Sequence, residues 1–276
     1  MNNVITLTWL TFQEARRRRM VVAALTIGLL FLILFSVGFV LINNEITREE
    51  FPDFTATPIR NFVTLAGLYV VHFLAIMLAI FTSVDTVSGE ITSHTIQSIV
   101  TKPIRRWQVI LGKWLGYAVM MGLYLSLLSG GIVAIVYVVS GYAPPNLLQG
   151  LFLLWLQALV LISLSLLGGT LFSTLTNGVA LFMLYGLAFI GVWVEQIGAI
   201  LQSSAALRVG IVSSLIMPVE ALWGRASHLM QPPIANALPS PFTVSSVPSP
   251  AMVVYAMVYI GVALLMSMYV FGRRDL

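Results

Sequence analysis

Two places in this 276-residue chain carry residues whose types and spacing suit chemistry or the transfer of force. The first is the polar insert 85–116, DTVSGEITSHTIQSIVTKPIRRWQVILGKWLG, which interrupts long apolar runs on both sides. Ser88 and Gly89 suit a helix start, and Glu90 falls in the first turn, where the helix dipole favours an anion. Ile91, Thr95 and Ile99 share one side of the short helix that follows, and Pro103 forces a break at Lys102. A new helix is expected from Ile104, with Arg105, Arg106 and Trp107 at an interface and Gly112, Lys113 and Trp114 leading into the bilayer. Headgroup binding and topology setting account for much of Arg105, Arg106 and Lys113. A helix of roughly three turns tied rigidly between two spans is a mechanical part, because force applied to it tilts both neighbours. The second place is His72, an ionisable group in the middle of an apolar run. Such a residue faces a bundle interior or a cavity and is a pathway candidate, set against the plainer reading of a neutral ring satisfied by a nearby hydroxyl or carbonyl.

Other chemistries lack their residues. The chain has no cysteine, so disulfides, thiolate ligands and cysteine nucleophiles are excluded. No G-x-x-x-x-G-K-[ST] loop occurs, so ATP hydrolysis by the P-loop route must come from another polypeptide. Met120 with Met121, and Met266 with Met268, have no clustered histidine or cysteine, and gap-filling between helices explains them better than Cu(I); no metal site is expected. With no acid at a span centre, a proton or sodium relay has little to run on, and His72 has no evident partner for an intramembrane hydrolase.

The elements that position these residues follow from composition. At 59% hydrophobic and 9% charged residues, with mean hydropathy +0.97, this is an integral membrane protein. Runs long enough to cross roughly 30 Å of hydrocarbon lie near 20–42, 60–83, 114–140, 149–173, 178–201 and 251–271, predicting six helices in a single all-α membrane domain over 1–276. Alternate loops place ten basic residues on one side (Arg16 to Arg19, Lys102, Arg105, Arg106, Lys113, Arg273, Arg274) and four on the other (Arg48, Arg60, Arg208, Arg225), so both termini are expected in the cytoplasm. The stretch 205–223 is apolar, yet Arg208, Pro218 and Glu220 argue against a seventh span, since each charge near the midplane costs about 2.5–3.5 kcal/mol. An amphipathic or re-entrant external helix fits better, within an external loop over 202–250 whose Gln231–Pro250 part holds six of the twelve prolines. At the N-terminus, residues 1–19 predict an interfacial helix, with Ile5, Trp9 and Phe12 on one face and Arg16 to Arg19 at its end. Two small-xxx-small ladders, Ser126/Gly130/Ala134 and Ser165/Gly169/Ser173, are expected to be helix-packing faces.

These features together resemble the ABC-2-type permeases, the membrane subunits of ATP-binding-cassette exporters. The likeness rests on an N-terminal helix ending Glu14 to Arg19, on six spans, and on the insert Ser88, Gly89, Glu90, then Lys102, Pro103, Ile104, Arg106, Gly112, Lys113. Met217 to Leu222 resembles the external helix before the last span in a subgroup that includes permeases for copper-enzyme maturation and drug efflux. A family glycine-threonine pair after the acid is replaced here by Ser93, His94 and Thr95. The resemblance implies a coupling helix, 90–100 within the segment 84–113, that docks on a separate ATPase through residues such as Ile91, His94 and Thr95. It further implies two ATPase copies carrying ATP and Mg, a homodimer of the permease, residence in the plasma or bacterial inner membrane, and no nucleic-acid partner. The alternatives are an ATP-independent secondary transporter or channel and, less well supported, an intramembrane enzyme.

Overall fold

The computed structural model describes residues 2–92, 105–233 and 247–273. Ten helices account for nearly all of them: α1 (Asn2–Arg17), α2 (Arg19–Arg48), α3 (Asp53–Ser83), α4 (Asp85–Thr92), α5 (Arg106–Ser140), α6 (Leu147–Leu171), α7 (Thr174–Ile200), α8 (Ser204–Ile216), α9 (Val219–Leu229) and α10 (Pro250–Arg273). Six are long and apolar enough to cross a membrane: α2, α3 running on into α4, α5, α6, α7 and α10. Each matches the apolar run that predicted it to within two residues or extends beyond it by up to a few turns.

Local signals set the ends. Gly141 takes the left-handed conformation (φ +68°) that closes α5, with its N–H on the Tyr137 carbonyl. Ser173 and Ser203 accept from the backbone N–H of Thr176 and Ala206 to start α7 and α8. The Gln108 side chain accepts from the Arg105 N–H at 3.0 Å, one half of a capping box at the start of α5. Met217 and Pro218 break the chain between α8 and α9, which bend by 103°.

The core is one apolar cluster around α3, α5 and α6, whose Leu65, Val71, Ile110, Met121, Leu128, Val160 and Ile162 are closed off from the surface. Met120 and Met121 belong to this core. Outside it, α2, α7 and α10 carry long exposed apolar faces, which water would not tolerate and lipid does. The C-terminal end of α10 lies at the same end of the bundle as α1, α4 and the start of α5, since Arg106 bonds the carbonyls of Phe271 and Gly272 and α1 packs along α5.

Candidate functional site

The inner-end site is built on the junction of α3 and α4. Ser88 and Gly89 do not start a helix. They lie inside α4, which continues α3 through Val84, itself in helical conformation (φ −58°, ψ −40°). The reason is local: the hydroxyls that would cap a new helix turn back onto carbonyls four residues earlier. Thr82 bonds Leu78, Ser83 bonds Ala79, Thr86 bonds Thr82 and Ser88 bonds Val84, at 2.6 to 3.1 Å. Glu90 therefore sits in the second turn of α4, not at an exposed N-terminus. Ile91 follows it on the same helix, whereas His94, Thr95, Lys102 and Pro103, with the rest of the expected 90–100 helix, lie outside the described residues.

Polar contacts bind this junction to the surrounding helices. Buried Lys113 of α5 donates through Nζ to the Thr86 carbonyl at 3.2 Å, and Thr86 Oγ1 meets the Tyr117 hydroxyl at 2.6 Å. Ser88 and Thr174 of α7 share a hydrogen bond of 2.8 Å, and Thr174 donates to Asp85. Asn177, also of α7 and buried, donates to the carbonyls of Ser165 and Val84. Arg18, between α1 and α2, pairs with Glu14 at 2.8 Å and Asp85 at 3.9 Å and donates to the Thr82 carbonyl. Two assignments for basic residues change accordingly. Lys113 points into the protein instead of toward lipid headgroups, because the helix carbonyl of Thr86 is within reach of its flexible stem. Arg106 satisfies the last carbonyls of α10, where a cation also suits the helix dipole.

The N-terminal helix lies along α5 at unusually close range. A Cβ at Gly112 would stand 2.6 Å from Leu7 Cβ, and one at Gly116 would stand 2.7 Å from Thr11 Cβ, so only glycine fits at either position. The face turned to α5 includes Thr11 and Ala15, leaving Ile5 and Trp9 exposed, with Trp9 stacked on half-buried Phe12 at 6.0 Å. Glu14 is held by Arg18, and Arg16 points outward. Beside this end, an apolar groove of about 690 Å³ opens between α3 and α7, walled by Phe81, Leu175, Val179 and Phe182, with Arg18 and Arg19 at its mouth.

The ladders separate in the fold. Gly169 packs against Val87 and the Ser88 backbone, joining α6 to α4. Ser126, Gly130 and Ala134 face outward from α5, and nothing lies within 4 Å of a Cβ placed at Gly130, so this ladder packs no helix within the described chain.

His72 has a partner that sequence reasoning missed. Glu220, on the first turn of α9, brings Oε1 to 3.3 Å from His72 Nε2, and the two residues are only 4% and 2% exposed. Tyr69, His72 and Trp223 stack about one another with ring centroids 5.1 to 5.6 Å apart. The Tyr185 hydroxyl lies close enough to Glu220 to feel its charge. The expectation that His72 has no evident partner is thus corrected. Position along the chain groups Glu220 with the external charges, but the break at Pro218 folds it inward, where the α9 N-terminus also favours an anion. A proline and an acid inside an apolar stretch were the only signal available.

Comparison with known families returns one finding that decides the class: the model of the ABC-2 family transporter proteins matches residues 5–276. The chain belongs to this family. It is a multi-pass membrane protein of the kind that serves ABC transporters as the transport subunit, and family members pair with an ATPase subunit. Comparison with curated proteins gives no match. Within an ABC-2 protein, the α3–α4 junction, the α1–α5 contact and the buried His72–Glu220 pair are the features to be given a purpose.

Proposed function

We propose that this chain is the permease subunit of an ATP-driven exporter, coupled to a separate ATPase through the segment 84–113. The observation that carries the reading is the continuity of α4 with the second span and its polar attachment to α5 and α7 through Lys113, Thr174 and Asn177. A rod so attached passes a push at its cytosolic end to three spans together, which a loop in water would not do. Ser88, Gly89, Glu90 and Ile91 form the root of this coupling element, and His94, Thr95, Lys102 and Pro103 are further residues assigned to the contact with two ATPase copies that hold ATP and Mg.

The excess of basic residues at the end that holds α1, α4 and Arg106 supports a cytoplasmic assignment for both termini in a plasma or bacterial inner membrane. The exposed Ile5 and Trp9 of α1 then suit the inner leaflet, with Arg16, Arg17 and Arg19 among anionic headgroups. On the opposite side, the bent pair α8–α9 reads as a re-entrant hairpin entered from outside. The groove between α3 and α7 and the outward ladder on α5 are faces for a second copy or for lipid, and a homodimer enclosing one pathway is the arrangement proposed.

The test is co-purification of a separate ABC ATPase co-expressed with this chain. It is expected to associate with the wild-type permease, and Glu90→Arg is expected to weaken that association and the ATP turnover of the complex. Full association and coupling in the variant would remove the proposed docking role. The buried His72–Glu220 pair favours one other reading, a proton-coupled secondary transporter, since paired ionisable groups inside a membrane domain can form a relay. Transport that persists with no ATPase present would select it.

A further inference from the structure

Two of the sides that hold the α8–α9 hairpin do so by unlike means, while on a third Tyr255 and Tyr259 of α10 donate to the Leu215 and Ile216 carbonyls. Against α7 and α6 the fit is glycine-tight. A methyl group added at Gly198 would strike Ala206, one at Gly210 would strike Glu195, and one at Gly150 would strike the Met230 side chain. Against α3, the hairpin is joined by polar side-chain contacts at two levels. His72 meets Glu220 at 3.3 Å, and Asn61 Nδ2 donates to the Met230 carbonyl at 2.9 Å and to the Tyr142 hydroxyl at 2.7 Å. At 1.5 Å per residue, Asn61 to His72 spans about 16 Å of α3 and Glu220 to Met230 about 15 Å of α9. The two contacts therefore bracket α9, which runs antiparallel to α3, and the rings of Tyr69 and Trp223 fill the interval.

We propose that this α3–α9 seam is the part of the membrane domain that opens during transport, with His72–Glu220 as its inner catch and Asn61–Met230 as its outer one. The physical case is the difference in what each side loses on parting. Glycine-tight packing gives up its contacts with nothing in return. An imidazole, a carboxylate and an amide released into a hydrated pathway recover hydrogen bonds to water, which offsets much of the lost pairing. A seam that never parted would be served at least as well by apolar side chains of the same volume. Motion is thus confined to the seam, and α8–α9 travels with α6 and α7. The proposal rests on the ATP-driven reading above, which supplies the work of opening.

Because the chain has no cysteine, introduced pairs are the only thiol targets in it. The double variants His72→Cys/Glu220→Cys and Asn61→Cys/Met230→Cys are made in the complex with its ATPase, in vesicles, and bridged with a short bis-methanethiosulfonate. Bridging either pair is expected to lower ATP turnover about tenfold, with recovery after reduction, whereas the same reagent changes nothing in the single variants. A bridged complex that turns over at the reduced rate would overturn the proposal. If the inner double variant fails to assemble, the outer pair tests the same opening, since it leaves the His72–Glu220 contact in place. An ATPase that co-purifies with a silent bridge sinks the seam alone; an ATPase that never co-purifies sinks the transporter reading, and the seam with it.

Discussion

The polar cluster at the α3–α4 junction and the polar pair at the α3–α9 seam lie on the same long helix and are built on opposite plans. At the junction, most of the hydrogen bonds join neutral groups to backbone carbonyls or to hydroxyls, and they are shared among α3, α4, α5, α6 and α7. At the seam, the inner contact concentrates two ionisable groups between two helices. A network distributed over several helices tolerates the loss of one member and holds a fixed shape. A concentrated pair is all or nothing, which suits a joint that has two states. The lesson is that polarity inside a membrane domain can mean either rigidity or release, and that the number of helices sharing it separates the two.

The sharpest way to break this contrast is Glu220→Ala. Removing one partner of a buried pair leaves the other uncompensated and is expected to destabilise the detergent-solubilised protein by about 3–5 kcal/mol. Thermal unfolding reads the loss, and His72→Leu/Glu220→Leu should restore much of it. A double variant as unstable as Glu220→Ala would show that the pair is not a unit. At the junction, Asn177→Ala removes the donor to the Ser165 and Val84 carbonyls, and a smaller loss of about 1–2 kcal/mol is expected by the same assay, because neighbouring bonds persist. A loss as large as that of Glu220→Ala would erase the distinction. The smallest effect belongs to Glu14→Ala. Its bond to Arg18 is half in solvent, so about 0.2–1 kcal/mol is expected, and that should fall further as salt is raised.

Sequence reading found the spans because a run of some 20 apolar residues has few uses other than crossing hydrocarbon. It placed a helix at α1 because a helical period is a short-range signal, but it did not find the face of Leu7, Thr11 and Ala15 that packs on α5. It missed the continuity of α3 and α4 because Ser88 and Gly89 are residues of helix starts, and nothing in sequence shows that the Ser88 hydroxyl is already committed to the Val84 carbonyl. It missed Glu220 at His72 because the two are 148 positions apart, and pairing at that separation leaves no periodic trace. Lys113 was misplaced for a related reason: an interfacial lysine has the same sequence context whether its stem turns outward to phosphate or inward to a carbonyl.

The contact of Leu7 and Thr11 with Gly112 and Gly116 has a consequence for how the protein is made. Helix α1 has its seat on the third span, about a hundred residues later in the chain. Docking of α1 therefore cannot precede insertion of the third span, so this contact closes a loop over the first two spans.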